Sequence, residues 1–102
     1  MTNPNNGVLN AYYLKPIYNH QKSFYNKAYV KEWGNCKELY SYNTRVAIIK
    51  LDANGMNEKL ILGRMATCSA TTLKHLREWI YQEGFKVYPK SEMYKHYEIG
   101  NF

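Results

Sequence analysis

Two cysteines, three prolines and no apolar run longer than Val46–Ile49 set the first limits on this 102-residue chain. A run of four residues is strand-sized, so no segment reads as a membrane-spanning helix. Cys36 and Cys68 are too few for a disulfide scaffold, and both are expected to be reduced. The opening MTNPNNG has neither the basic start nor the apolar stretch of a secretory signal, which points to a cytoplasmic chain. Glycine-rich phosphate loops, C-x-x-C pairs and H-x-x-x-H pairs are also missing. Cys36, Cys68 and His75 therefore make no zinc-ligand spacing, and neither a metal nor another cofactor is expected.

Acid is missing from the first third. Residues 1–31 carry Lys15, Lys22, Lys27 and Lys31 against no Asp or Glu, which leaves only +2 of the net +6 for the rest. That imbalance favours an anionic partner, such as nucleic acid, a nucleotide or an acidic protein face. The eight acids that do occur are scattered, and no nucleophile motif accompanies them. The expectation is a protein without catalytic activity. A histidine pair drawn from His20, His75 and His96 is the one enzymatic alternative.

What the chain has in abundance is tyrosine, eleven residues of it, in an aromatic fraction of 16%. Tyrosine packs its ring while keeping its hydroxyl wet, so it serves both thin cores and contact surfaces. In FYNKAYVKEW one parity holds Phe24, Ala28 and Val30. The other holds Tyr25, Lys27, Tyr29, Lys31 and Trp33. This alternation predicts a half-buried strand. Gly34-Asn35 then suits a two-residue hairpin turn, and CKELYSY returns. A bend at Asn43-Thr44 leads into RVAIIKL. Asn54-Gly55 marks another turn, and KLILGRM supplies the fourth strand.

In CSATTLKHLREWIYQEGF, Ser69 is a strong N-cap, and Leu73, Leu76 and Ile80 form one apolar stripe. Gly84 fits a left-handed stop, with Phe85 folding back toward Ile80. The fold class expected is α+β: an antiparallel sheet of about four strands with one main helix on one face, in the order ββββα. Residues 1–23 are a flexible N-terminus and arm, residues 24–85 the sheet-plus-helix domain, and residues 86–102 a Tyr-rich tail packing on it. The tail is expected to form a short helix after Ser91, with Met93, Tyr94 and Tyr97 turned inward.

Two candidate binding surfaces emerge. Tyr25, Lys27, Tyr29, Lys31 and Trp33 alternate rings that can stack on bases with charges that can meet phosphates, as single-strand binders require. The same parity could instead pack beneath the arm. Thr71, Thr72, His75 and Trp79 cluster beside the helix N-terminus, where free N–H groups favour an anion. The plainer alternative makes them first-turn threonines, a core-border tryptophan and a solvated histidine.

LYSYNTRVAIIK and CSATTLKHLREWIYQEGF also resemble a family of short phage and plasmid proteins. The matching residues are Leu39, Tyr40, Ser41, Tyr42, Thr44, Val46 and Ala47, then Ser69 to Leu73, His75, Gln82, Gly84 and Phe85. The resemblance spans roughly residues 24–85. It implies a mobile-element accessory protein in a bacterial host cell; by analogy of size and origin, such a protein is expected to antagonise host defence by binding, as anti-CRISPR proteins do. The partners this implies are a host defence protein or nucleoprotein complex, a nucleic acid, or a nucleotide ligand, with a homodimer as a further expectation through an exposed edge strand. Direct DNA or RNA binding through the Lys/Tyr strand face is the alternative function.

Overall fold

The computed structural model describes residues 7–102. Its strands follow chain order: β1 (Val8–Tyr13), β2 (Ala28–Trp33), β3 (Cys36–Ser41), β4 (Thr44–Leu51) and β5 (Asn57–Leu62). Then come helices α1 (Ala70–Gln82) and α2 (Lys90–His96), and a two-residue strand β6 (Glu98–Ile99). The architecture is α+β. It differs from ββββα in having six strands in the order β1-β2-β3-β4-β5-β6; the short tail helix expected after Ser91 is present as α2, beginning at Lys90. Neighbours pair antiparallel except β5 and β6, which are parallel.

Short connections explain the central meander. Gly34-Asn35 joins β2 to β3 as expected. The next turn uses Tyr42-Asn43, one residue earlier than Asn43-Thr44, with φ of 52° and 69°. Asn tolerates that left-handed region, whereas β-branched Thr44 prefers the strand it begins. Register then lines up Val30, Leu39, Ala47 and Leu62 across β2, β3, β4 and β5. All four are fully buried, and with Trp79, Leu76 and Ile80 of α1 and Met93 of α2 they form the core.

α1 is capped at both ends. Ser69 Oγ accepts the Thr72 N–H at 3.1 Å. Gly84, at φ 88°, lets its own N–H reach Tyr81 O (3.1 Å) and the Phe85 N–H reach Ile80 O (2.9 Å), the paired bonds of a Schellman stop. A Cβ at Gly84 would meet nothing within 4 Å, so only backbone strain opposes a side chain. Gly84→Ala is expected to cost about 1–2 kcal/mol, read in urea as a lower midpoint with unchanged slope.

Both segments flanking the expected four-strand domain contribute a strand to the sheet, β1 before it and β6 after it. Of residues 1–23, expected as a flexible N-terminus and arm, residues 1–6 lie outside the described part and Val8–Tyr13 is edge strand β1. Residues 14–27 leave β1, cross α1 and return to β2. Leu14 and Phe24, each 2% exposed, pin this arm at its two ends. Along its middle, Glu78 of α1 accepts the N–H groups of Tyr18 (3.0 Å) and Asn19 (2.8 Å), and Gln82 donates to Lys15 O (2.8 Å). At the other end, α2 buries Met93 and turns Tyr94 to donate to Gly63 O at 2.7 Å. The chain then runs beside β5, where the Phe102 ring lies against Gly63 and Gly100 so closely that a Cβ on either would collide with it. Arm and helices thus share one side of the sheet. On the other side, Tyr29, Tyr40 and their neighbours remain accessible.

Candidate functional site: the open sheet face

Side chains alternate across a strand, so burying Val30 and Leu39 turns Tyr29, Lys31 and Trp33 of β2 and Glu38 and Tyr40 of β3 to the opposite face. Register puts Tyr13, Tyr29 and Tyr40 in one row across β1, β2 and β3. Ring centroids are 5.4 Å apart for Tyr13–Tyr29 and 6.3 Å for Tyr29–Tyr40. Lys31 Nζ stands 5.1 Å from the Tyr40 ring centroid, and the Arg45 guanidinium 4.7 Å from that of Phe102.

Glu38 organises this surface. It accepts from Trp33 Nε1 (2.7 Å), Tyr40 Oη (3.2 Å) and Arg45 (2.8 Å). Burial alone would push its carboxyl up, but those three hydrogen bonds and the Arg45 charge outweigh it and hold the group below its ordinary range. Burial, then the charge of Glu38, pushes the Tyr40 phenol up, so Tyr40 stays a donor. The Trp33 and Tyr40 rings are therefore fastened in place by Glu38.

At one end of the row lies a cavity of about 450 Å³, lined by Tyr13, Asn26, Lys27, Tyr29, Tyr42 and Asn43. Two Tyr-Asn turns border it, Tyr25-Asn26 (φ 52° and 60°) and Tyr42-Asn43 (52° and 69°). The Tyr42 N–H donates to Lys27 O at 2.9 Å and ties the turns together. Each left-handed non-glycine residue costs on the order of 1 kcal/mol, and such costs gather where a surface is shaped for contact. A second hollow of about 320 Å³ shares Tyr29 as a wall and is completed by Lys31 and residues 8–11 of β1.

The face expected from sequence is thus corrected in one member. Lys27, Tyr29, Lys31 and Trp33 belong to it or to its rim. Tyr25 does not, because the strand begins at Ala28 and the left-handed turn breaks the parity; the residue is 71% exposed. Tyr13, Tyr40, Asn26, Tyr42 and Asn43 were missed. For Asn26, Tyr42 and Asn43 the one signal was the recurring Tyr-Asn pair, present at 18–19, 25–26 and 42–43; Tyr13 and Tyr40 carried none.

The helix corner is corrected more fully. Thr71 is exposed, but Thr72, His75 and Trp79 are buried at 6%, 1% and 0% exposure, so they make no joint surface. Ser41 of β3 explains the reversal. Its Oγ shares hydrogen bonds with His75 Nδ1 (2.8 Å) and Thr72 Oγ1 (3.1 Å), giving both polar groups a partner inside. Phe24 closes over the imidazole edge-on at 4.7 Å. Burial, helped by the Lys74 charge, lowers the His75 pKa to about 4, so the ring is neutral near pH 7. Ser41, Tyr42, Thr44, Val46 and Thr72 line a further cavity of about 210 Å³, where the two segments quoted for the phage and plasmid resemblance meet. Of the other histidines, His20 is on the arm and His96 stacks on Tyr88 at 3.8 Å.

Among the described residues, no three of His, Cys, Asp and Glu gather to hold a metal ion, and no helix is long and apolar enough to cross a membrane. A family model described as a family of unknown function, DUF8033, matches residues 12–95. The chain belongs to that family. No curated protein and no solved structure matches it. The DUF8033 match takes in the tyrosine row, both left-handed turns, the arm and His75, and it ends before β6 and Phe102.

Proposed function

We propose that this DUF8033 protein is a non-catalytic binding protein that takes single-stranded nucleic acid on its open sheet face. The observation that carries the reading is the 450 Å³ cavity at the end of the tyrosine row. Three rings offer stacking surfaces, two asparagine amides offer paired donors and acceptors for a base edge, and Lys27 offers a charge for phosphate. A duplex keeps its base faces stacked and out of reach of such a cavity, which favours the single strand. The surplus of lysine in residues 1–31 supports the same partner by charge.

The resemblance to phage and plasmid proteins adds a setting to this chemistry. In the cytoplasm of a bacterial host, a protein that grips exposed bases is suited to a nucleoprotein complex of host defence, whose guide or displaced strand is such a substrate. Antagonism of host defence is thus the proposed role, and the open face its proposed means.

Fluorescence anisotropy with a labelled single-stranded oligonucleotide tests the reading. Binding is expected to weaken with salt, at a slope near −0.7 per phosphate contacted. Tyr29→Ala is expected to lose about 5- to 150-fold, the worth of one stacked base. The Lys27→Glu, Lys31→Glu double variant should leave no measurable binding. Affinity unchanged in both variants, or equal affinity for duplex, rules the open face out.

A further inference from the structure

On the helical side of the molecule, away from the open face, the arm and α1 enclose a cavity of about 410 Å³ lined by Tyr18, Asn19, His20, Lys74 and Arg77. Lys74 and Arg77 are three residues apart, so they stand one turn apart on the same side of α1. Neither they nor His20 enter an ion pair among the described residues. Arg77 is half-buried, and its Nε–H is fully buried with no hydrogen-bond partner. A buried donor left unpaired is unfavourable, and a guanidinium with no acid to hold it is free to swing onto an incoming anion.

The neighbouring Glu78 carboxylate does not fill that role. Its oxygens are taken by the N–H groups of Tyr18 and Asn19 and by Gln82 Nε2 at 2.7 Å. Those same bonds hold the cavity wall against the helix. Beside the cations, the Tyr18 ring packs on Tyr81 with centroids 4.7 Å apart, which makes an apolar wall next to the charged floor.

We infer that this cavity is a site for a phosphomonoester carrying a ring, such as a nucleoside monophosphate. Two side chains of fixed charge and a histidine match a dianion better than a carboxylate. The volume exceeds what bare phosphate needs, and the tyrosine wall supplies a place for the organic part. Independence from the open face follows from the separate residues involved, so the two proposals can fail separately.

Calorimetric titration of the full chain with adenosine 5′-monophosphate, adenosine and inorganic phosphate tests this. The monophosphate is expected to bind, inorganic phosphate to bind more weakly, and adenosine to give no heat. Arg77→Gln removes the charge that would swing onto the ligand. Lys74→Glu, at an exposed position where folding is not at stake, should weaken the monophosphate about tenfold or more. Lys31→Glu on the open face should leave it unchanged. A 5′-phosphorylated dinucleotide separates the two sources of the group: tighter binding than the monophosphate assigns a strand end, weaker binding a free nucleotide. Adenosine binding as tightly as its monophosphate, no heat from any probe, or full affinity in Lys74→Glu overturns the inference.

Discussion

Glu78→Ala is expected to destabilise the fold by about 2–4 kcal/mol and to release the arm from α1. The carboxylate is fully buried, yet it is satisfied by two backbone N–H groups from residues sixty positions earlier and by Gln82. Hydrogen bonds to a charged group are worth about 1.5–3 kcal/mol, and their loss strands donors that were arranged for it. Water reaching the loosened arm returns part of that, which sets the lower end of the range. Burial pushes the Glu78 carboxyl up, but the bonds from Tyr18, Gln82 and Asn19 prevail and hold it below its usual range. A depressed acid contributes stability above its unfolded pKa and loses it as pH falls through the folded value, so this contribution is intact at neutral pH. Urea unfolding gives the energy, and amide exchange over residues 15–26 reports the arm. Glu78→Gln, which keeps the shape and one accepting oxygen, should fall between. A change under about 0.5 kcal/mol, or arm amides protected as before, would show that Leu14, Phe24 and the Gln82–Lys15 bond hold the segment without Glu78.

The same arm shows why some of the structure was legible in the sequence and some was not. Ser69 and Gly84 act through backbone geometry within a few residues, and each did what its chemistry implied, while Gly34-Asn35 marked the place of the β2–β3 turn without a left-handed glycine. So did the inward parity of Ala28 and Val30. β1 carries no such local signal: Asn10 and Tyr12 share the inner parity, and the strand exists because β2 offers an unpaired edge. β6 has two residues and lies beside β5 because the chain returns there from α2. The helix corner misled for a related reason. Thr72 and His75 look like surface residues until Ser41, more than thirty positions away, gives them partners in the core. On the open face the lysine and tyrosine alternation was readable, but its continuation through Tyr25 was not, since a left-handed Tyr-Asn turn cannot be told from a strand by residue type. The cavity at Tyr29 is built from three separate stretches of chain, which only register brings together.

Acid should reveal the Ser41–His75 pair. The folded ring titrates at about 4 against 6.5 for the free side chain. Between those values the unfolded chain binds a proton that the folded chain refuses, so stability rises with pH through this window. Stability is full above about pH 6.5, and roughly 3 kcal/mol of it is gone by pH 4, at 1.36 kcal/mol per unit. The side chains facing the imidazole are Ser41, Thr72, Phe24 and Tyr42, none of them a carboxylate or a second imidazole, and the adjacent charge is that of Lys74. Glu38 and Glu78, both held low, add their own losses only at the acid end. Urea midpoints measured from pH 7 to 4 should fall in the native chain, and in His75→Asn the slope above pH 5 should be markedly flatter. Equal slopes in the two proteins would mean that His75 accepts its proton without leaving the core. The consequence reaches the surface, because Ser41 is directly followed by the Tyr42-Asn43 turn that borders the open-face cavity. A charged imidazole behind that turn loosens the strained backbone on which the tyrosine row ends, so binding there should weaken on acidification before the protein unfolds.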